Sequence, residues 1–247
     1  MAALPPGAWP SGGHDPLLEA LQQDYLPDLH HVDIRGLVND PRLGRIAIVS
    51  SFGADSIVLL HLMAEMRPGL EVLFLETGKH FPETLDYVAQ VSDQLGLSLV
   101  PVRPDPELLA SEDPDGALWR VHPDGCCRIR KVIPLQDALA SYDSWISGRK
   151  RFQATTRATI PIIERDGPKI KVNPMALWTP DQVAEYLRCH HLPVHPLLAR
   201  GYPSIGCAPC TQPVVPGADP RSGRWAHAPE KAECGIHLGP DGRFRRG

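Results

Sequence analysis

The sequence lacks three features that would place it in whole classes of protein. None of its apolar runs approaches the roughly 18 residues that a helix needs to cross a bilayer. Its N-terminus has no basic segment followed by an apolar core, as a signal peptide would. It has no excess of positive charge, since 25 basic residues face 29 acidic ones and the net charge is −4. We therefore expect a cytoplasmic protein that binds neither membranes nor nucleic acid through bulk charge.

Cysteine is also scarce, with six residues in 247, yet these six form patterns along the chain. Structural disulfides are rare in the cytoplasm, so cysteines there more often bind metals or take part in chemistry. Proline is abundant instead, with 27 residues, many of them after residue 193. We expect disorder in residues 1–14, an α/β domain over 15–212 and a C-terminal tail over 213–247.

Apolar segments of two kinds alternate along the chain. Short β-branched runs between turn residues are typical of buried strands, and longer runs that begin at an N-cap or a proline are typical of helices. The predicted strands are 45–50, 71–76, 97–103, 144–148 and 169–174, and the predicted helices are 16–26, 56–67, 82–96 and 181–191. This alternation predicts an α/β fold built on a Rossmann-like parallel sheet with right-handed crossovers.

Two loops follow the first two predicted strands, and in such sheets ligands bind at the carboxyl ends of the strands. The first loop is SSFGADS, residues 50–56, where N–H groups at a helix N-terminus can bind an anion and Ser51 and Ser56 add hydroxyl donors. The second contains Glu76, which can accept hydrogen bonds from a ribose, and Gly78, which lets the backbone approach a ligand. For the first loop alone, an ordinary strand-to-helix turn is the alternative.

Four of the six cysteines are typical of a metal centre. Cys126 and Cys127 are adjacent, and Cys207 and Cys210 form a CxxC pair in a proline-rich stretch. Four thiolates bind either one zinc ion or an iron–sulfur cluster. Adjacent cysteines crowd a single ion but can bind different irons of one cluster. The spacing therefore favours a 4Fe–4S cluster and leaves zinc as the alternative.

The other two cysteines differ in their surroundings. Cys234 lies in ECGIHL near the C-terminus with no apolar run before it, so we expect an exposed thiol that is a candidate nucleophile. An incidental cysteine in a tail is the alternative. Cys189 ends a predicted helix beside His190 and His191, and the three side chains point in different directions. A solvated helix end is therefore favoured there over a metal site.

Basic residues cluster in spite of the acidic total. The clusters are Arg128, Arg130 and Lys131, then Arg149, Lys150, Arg151 and Arg157, and then Arg221 and Arg224. Each cluster by itself is compatible with a solvated surface. Together with an anion-binding loop and a reactive thiol, they predict a compact polyanionic substrate such as a nucleotide with an extra oxyanion.

Over about residues 45–238 the chain resembles the assimilatory adenylyl-sulfate reductases, which belong to the APS/PAPS reductase family. The motifs that carry this resemblance follow in family order: SSFGADS, LETGKHFPET, GCCRIRKVIPL, GRKRFQATTRA, LPVHPLLARGYPSIGCAPCT, DPRSGRW and ECGIHL. The family usually has an aspartate where Glu76 stands, and many members have one where Phe152 stands. The pairing of CC…CxxC with a terminal ECGIHL is the most specific part of the match.

The resemblance implies an adenine-nucleotide α-hydrolase-like domain with a flexible C-terminal tail. It implies that Cys126, Cys127, Cys207 and Cys210 hold a 4Fe–4S cluster and that Cys234 is the catalytic cysteine. The substrate-binding residues that it implies are Ser51, Gly53, Asp55, Ser56, Glu76, Thr77, Gly78, Lys131, Arg157, Arg221, Arg224 and His237.

The resemblance also implies a reaction. Adenylyl sulfate would transfer its sulfonate to Cys234 and release AMP, and thioredoxin or a similar dithiol would then release sulfite, as in sulfate assimilation and cysteine biosynthesis. The tail would open for the second step, helped by Gly235 and Gly239. Self-association into a homo-oligomer is compatible with the sequence.

Three alternatives remain beside this reaction. The substrate can be the 3′-phosphorylated nucleotide PAPS. The chain can instead be an ATP pyrophosphatase of the PP-loop type that thiolates tRNA, although those enzymes favour an SGGxDS loop. It can also be a non-enzymatic module held together by zinc.

Overall fold

The structure, a computed structural model, describes residues 14–28 and 32–236. Its strands are β1 (Ile46–Ser50), β2 (Glu71–Leu75), β3 (Ser98–Val102), β4 (Ser144–Ser147), β5 (Ile163–Asp166) and β6 (Lys169–Val172). Its helices are α1 (Pro16–Tyr25), α2 (Ile34–Asn39), α3 (Ser56–Met66), α4 (Pro82–Leu95), α5 (Pro106–Glu112), α6 (Leu118–Val121), α7 (Pro123–Cys127), α8 (Ile133–Leu139) and α9 (Pro180–Cys189). The predictions for residues 1–13 and 237–247, among them His237 and Gly239, lie outside the described residues.

The six strands form one sheet in the order β3-β2-β1-β4-β6-β5. All neighbours pair in parallel except β5 and β6, which are antiparallel. The predicted α/β class is confirmed, and each predicted strand is present. The sheet is mixed rather than wholly parallel because a turn at Gly167, with φ of +60°, folds β5 back along β6 as an edge strand.

The central strand β1 is buried on both faces because helices cover the sheet on each side. Ile46 and Ile48 pack in one apolar cluster with α3 and α4, whereas Ala47 and Val49 point to the other face, where α8 packs. Successive side chains of a strand alternate between faces, so a continuous apolar run is what a doubly covered strand requires. The loop that follows β1 is therefore held by a rigid element.

The predicted helices lie within about two residues of their observed bounds, and local signals explain the ends. At α9, Thr179 and Gln182 form a capping box, since the Thr179 hydroxyl accepts from the Gln182 N–H at 3.2 Å. At α4, Gly96 ends the helix in a left-handed conformation with φ of +58°. Within residues 14–28 and 32–236, no helix combines the length and the apolar character needed to traverse a bilayer.

The part of the predicted tail that the structure describes folds back onto the domain. Beyond α9 the described chain contains short 3₁₀ turns, at Pro196–Arg200 and Ala208–Cys210, in place of longer elements. Thr211 pairs with Arg224 in an antiparallel bridge, and Trp225 is 2% exposed against the CxxC cysteines. Residues 213–236 therefore bring the C-terminal thiol toward the carboxyl ends of the strands.

Candidate active site

A cavity of about 710 Å³ opens at the carboxyl ends of three strands. Ser50 ends β1, Leu75 ends β2 and Gly148 follows β4, and all three line it. The strand order leads away from this point in both directions, through β1 to β2 and through β4 to β6. This is the topological switch point, where open α/β sheets bind their ligands. A cavity of this size suits a nucleotide.

The SSFGADS loop forms one wall of the cavity. The four predicted loop residues that line it are Ser51, Gly53, Asp55 and Ser56. Phe52 is buried and has φ of +48°, an uncommon conformation for a residue with a side chain, and its ring packs edge-on against Phe74 at 5.4 Å. No side chain caps α3 at its N-terminus. The Ser56 and Val58 N–H groups donate to the carbonyls of Gly53 and Asp55, at 3.1 Å and 3.3 Å, so what this helix start offers an anion is chiefly the positive end of the helix dipole.

The Asp55 carboxylate lies at this helix start, where it would repel an anion if it were unpaired. Lys150 Nζ lies 2.7 Å from Asp55 Oδ2, and the Gln153 amide donates to the same oxygen at 3.2 Å. Lys150 is 1% exposed, and burial lowers its pKa while the Asp55 charge opposes that change. The ion pair therefore leaves this wall of the cavity without the net charge of Asp55. Neither Lys150 nor Gln153 was among the substrate-binding residues that the resemblance implied.

The second predicted loop lies beside the cavity rather than in its lining. Glu76 Oε1 accepts from the Gly78 N–H at 2.8 Å, and its other oxygen lies 3.4 Å from Arg103 Nε. Thr77 is fully buried, with its hydroxyl 3.3 Å from the Cys207 sulfur. The structure thus does not bring Glu76, Thr77 and Gly78 into contact with the cavity. Thr77 instead joins the loop to one of the cysteines.

Cys126, Cys127, Cys207 and Cys210 lie near one another, and Cys207 lines the cavity. All four are buried and free of disulfides. Burial raises the pKa of Cys126, Cys127 and Cys210 to about 11. Burial also acts to raise the pKa of Cys207, but the Lys131 and Arg224 charges and the Thr77 hydrogen bond together lower it. In the described ranges no three His, Cys, Asp or Glu side chains surround one point as ligands of a single ion.

A π-helical turn, Arg128–Val132, follows the adjacent cysteines and divides the first basic cluster. Arg128 pairs with Glu112 on the outside, and Arg130 is buried against Asp113, with Arg130 Nη2 2.5 Å from Asp113 Oδ2. Of the three basic residues, Lys131 lines the cavity. Wide helical turns of this kind are common at functional sites, where they redirect side chains.

The second basic cluster divides in the same way. Arg149 pairs with Glu164, and Arg151 donates to the Ile160 carbonyl at 2.9 Å. Arg157 lines the cavity. Of the seven basic residues in these two clusters, Lys131, Arg149 and Arg157 line the cavity. Carboxylates already hold five of the seven, which are Arg128, Arg130, Arg149, Lys150 and Arg157.

Arg224 and Trp225 form the wall nearest the cysteines. Arg224 Nη1 donates to the Ile205 carbonyl at 3.3 Å, and its guanidinium lies 4.5 Å from the Trp225 ring centre. The guanidinium lies directly against Gly206, where a Cβ atom would collide with it. Trp225 itself has φ of +49°, and both residues line the cavity. A glycine is thus required for Arg224 to reach its position.

Cys234 lines the same cavity and is half-buried, so the prediction of an exposed thiol is wrong. The preceding residue, Glu233, forms an ion pair with Arg157, whose Nε lies 2.6 Å from Glu233 Oε1. Arg221 Nη2 lies 3.4 Å from the other oxygen of Glu233 and donates to the Ala232 carbonyl at 2.8 Å. These contacts seat the tail in the cavity. The motif ECGIHL shows the acidic residue beside Cys234, but the sequence does not show which arginines pair with it.

The cysteine and histidine run at the end of α9 lies away from this site. Cys189 is exposed, with its sulfur 3.0 Å from a Glu185 oxygen, and His190 stacks on Tyr186. His195 is fully buried, and its Nδ1 accepts from the Leu197 N–H at 3.2 Å. The prediction of a helix end without a metal fits this arrangement.

The fold and the cavity together define a class: an α/β protein that presents a helix N-terminus, cations and one thiol to a ligand at its switch point. Comparison with known sequences identifies the family within that class. The model of the phosphoadenosine phosphosulfate reductase domain matches residues 45–213. The chain belongs to this family. The predicted family is confirmed, and so is the prediction of an enzyme of the oxidoreductase class.

Individual relatives agree with the family. The chain is 54% identical to the adenosine 5′-phosphosulfate reductase of Chelativorans sp. (strain BNC1), over 79% of this chain and 80% of the relative. It is 54% identical to the enzyme of the same name from Mesorhizobium japonicum, over 78% of this chain and 76% of the relative. Among solved structures, a phosphate complex of phosphoadenylyl-sulfate reductase from Candida auris superimposes with a TM-score of 0.65 and 26% identity. That match covers 79% of this chain and 96% of the other.

Proposed function

We propose that the protein reduces adenosine 5′-phosphosulfate to sulfite and AMP through a sulfonated Cys234. The observation that carries this proposal is the position of the Cys234 thiol in a nucleotide-sized cavity that Lys131, Arg157, Arg221 and Arg224 also line. Relatives named adenosine 5′-phosphosulfate reductases support this substrate over its 3′-phosphorylated form.

The substrate would lie across the switch point with its two anionic groups at different walls. The N-terminus of α3 and the Ser51 and Ser56 hydroxyls would bind the nucleotide phosphate. Lys131 and Arg224 would bind the sulfate, because neither has a carboxylate partner among the described ion pairs. Arg221 lines the same cavity but is held by Glu233 and the Ala232 carbonyl.

In the first chemical step the ionised Cys234 sulfur attacks the sulfate sulfur and forms an S–S bond. The bond between that sulfur and the oxygen bridging to phosphorus breaks, and AMP leaves with the electron pair. Lys131 and the arginines offset the negative charge that grows on the bridging oxygen. The product is an S-sulfocysteine at position 234.

In the second step a dithiol completes the reduction. One thiolate of thioredoxin, or of a similar dithiol protein, attacks the Cys234 sulfur and releases sulfite, and its second thiol then resolves the mixed disulfide. The dithiol is oxidised by two electrons, and Cys234 is regenerated. All six cysteines of the chain are free, which suits a reducing compartment such as the cytoplasm.

We further propose that Cys126, Cys127, Cys207 and Cys210 hold a 4Fe–4S cluster. Four buried free thiols near one another fit such a group, and the adjacent pair favours it over zinc because neighbouring cysteines crowd a single ion. When bound, a cluster supplies a local electrostatic field beside the cavity. The chain's own contribution is Lys131, whose pKa is raised because the neighbouring thiols outweigh its burial.

The first test is Cys234→Ser with an anaerobic assay of sulfite release from both nucleotides in the presence of a thioredoxin system. We expect loss of turnover of at least about a thousandfold with nucleotide binding retained, because the serine keeps the shape but loses the nucleophile. The exposed Cys189→Ser is the matched control and should keep full activity. Sulfite release by Cys234→Ser at the normal rate would refute the mechanism.

Wild-type protein prepared in the same way distinguishes this function from the alternative ones. Preference for the 3′-phosphorylated nucleotide would change the assigned substrate, and pyrophosphate release from ATP would favour a PP-loop enzyme. Zinc without iron or sulfide in protein purified without oxygen would refute the cluster. Sulfite production from adenosine 5′-phosphosulfate with iron and sulfide present is the result that we expect.

A further inference from the structure

We infer that Glu233 is an electrostatic latch that holds the Cys234 segment, residues 231–236, in the cavity through Arg157 and Arg221. The inference rests on the proposed function for its catalytic consequence, but its geometry does not depend on it. Glu233 would act as a positioning residue, because it holds the chain that carries the nucleophile and touches no reacting atom.

The contact between Glu233 and Arg157 has the geometry of a strong ion pair. Arg157 Nε donates to Glu233 Oε1 at 2.6 Å, and Nη2 donates to Oε2 at 2.8 Å, so both carboxylate oxygens face the guanidinium fork. The side chains are 13% and 17% exposed. Bidentate pairs shielded from water are among the stronger polar contacts in proteins. Burial acts to raise the pKa of Glu233, but the hydrogen bonds and charge of Arg157, the charge of Arg221 and a hydrogen bond from Thr156 together lower it.

The segment itself offers little else to hold it. Residues 232–236 lie in no helix or strand, and Gly235 has φ of +80°. Ile236 packs at the margin of the apolar cluster around Val49, and Cys234 packs at the margin of the cluster around Trp225. With regular backbone structure missing from these residues, side-chain contacts decide whether the segment stays in the cavity. Glu233 makes the charged contacts next to Cys234, and Lys231 pairs with Asp124 at the start of the segment.

The latch uses cations other than those left for the substrate. Arg157 and Arg221 face Glu233, whereas Lys131 and Arg224 have no carboxylate partner among the ion pairs of the described residues. A substrate anion can therefore bind to Lys131 and Arg224 while the latch stays closed. This distinguishes a latch from a carboxylate that merely occupies the substrate's place and must leave before the substrate binds.

The test compares wild type with Glu233→Gln, which keeps the size of the side chain and removes its charge. Hydrogen exchange of a peptide covering residues 226–236, followed by mass spectrometry, should accelerate about tenfold, the effect of losing one charge-assisted pair. Exchange of β1 should stay unchanged, because its backbone is held by parallel pairing with β2 and β4. The matched control is Glu185→Gln, which removes a carboxylate from an exposed pair with Arg188 and should alter neither peptide.

Salt provides a second readout that a structural defect would not reproduce. Raising sodium chloride from about 0.05 M to about 0.5 M should accelerate exchange of the 226–236 peptide more in wild type than in Glu233→Gln, because the variant keeps the Lys231–Asp124 pair but lacks the charge of Glu233. Glu233→Asp should restore part of the protection. If this peptide exchanges at the same rate in wild type and in Glu233→Gln at both salt concentrations, the latch is overturned.

Binding and turnover test the consequence for the reaction. In a Cys234→Ser background, Glu233→Gln should change the dissociation constant for adenosine 5′-phosphosulfate by less than about threefold, whereas tightening of about tenfold would show competition and overturn the latch. With Cys234 present, kcat should fall about tenfold and KM should change little. Faster exchange with undiminished kcat would support the latch and count against the proposed role of Cys234. A failure of the latch can therefore be distinguished from a failure of the proposed function.

Discussion

Replacing Arg130 with methionine tests whether a buried ion pair fixes the segment that carries Cys126 and Cys127. Arg130 donates to Asp113 Oδ2 through Nη2 at 2.5 Å and through Nε at 3.1 Å. Its Nη1 donates to the Thr77 carbonyl at 2.9 Å, which ties the segment to the loop after β2. The Arg130 and Asp113 side chains are 8% and 0% exposed. Methionine fills much of the volume and removes the charge.

The expected loss is large because Asp113 would be left buried without a partner. Removing one member of a buried pair costs about 3–5 kcal/mol. The Thr77 carbonyl also loses a donor, which adds about 1 kcal/mol. Burial alone would raise the pKa of Asp113, and at present the Arg130 hydrogen bonds keep that pKa lowered. At about 2–4 °C per kcal/mol for a chain of this size, we expect the melting temperature to fall by about 8–24 °C.

Calorimetric unfolding of anaerobically purified protein at pH 7 measures this effect. The matched control is Arg128→Met, two residues earlier, whose pair with Glu112 is 44% and 37% exposed. An exposed pair contributes about 0–1 kcal/mol, so the control should melt within about 3 °C of wild type. Adding Asp113→Asn to Arg130→Met should recover part of the loss, because the buried group is then neutral. If Arg130→Met melts together with Arg128→Met, the reasoning about an uncompensated charge is refuted.

Two further predictions concern other buried groups. Lys150→Met removes the partner of Asp55, which lines the cavity, so titration calorimetry should show nucleotide binding about tenfold weaker. Lys171→Met, equally buried but paired with Glu164, should leave affinity unchanged, and equal affinities of the two variants would refute the charge argument. Burial lowers the pKa of His195 to about 4, against about 6.5 when unfolded, so the unfolded chain binds the proton first as pH falls. Stability present above pH 6.5 should therefore decrease toward pH 4 by up to about 3 kcal/mol, and urea unfolding of His195→Gln should lack that decrease.

The course of the sheet could be predicted because its strands are buried on both faces and therefore appear as continuous apolar runs. β5 was missed because Ile163–Asp166 is an edge strand with mostly polar residues, and its pairing with β6 depends on the turn at Gly167. The helices α2 and α5–α8 were missed because they span seven residues or fewer, too short for a clear period. Their positions follow from packing with distant parts of the chain.

The candidate site could be predicted where residues with a shared chemical role are neighbours in the sequence, as in the two cysteine pairs and the loop SSFGADS. It could not be predicted where function depends on pairing across the fold. Arg130 and Lys131 are adjacent in sequence, yet one is neutralised by Asp113 inside the protein and the other lines the cavity. Only the folded chain shows which cations remain available to a ligand.

The balance of charge in the cavity then bears on the choice of substrate. The charges of Asp55 and Lys150 cancel, as do those of Arg149 and Glu164. Glu233 offsets one of the four remaining cations that line the cavity, which are Lys131, Arg157, Arg221 and Arg224. Three positive charges therefore remain, with Asp219 exposed at the mouth. A phosphosulfate brings two negative charges and an ionised Cys234 a third, so the cavity is neutral when substrate and nucleophile meet. A 3′-phosphate would add up to two negative charges with no described cation left to receive them. We therefore expect discrimination against that nucleotide to appear mainly in its binding and to weaken as salt screens the excess charge.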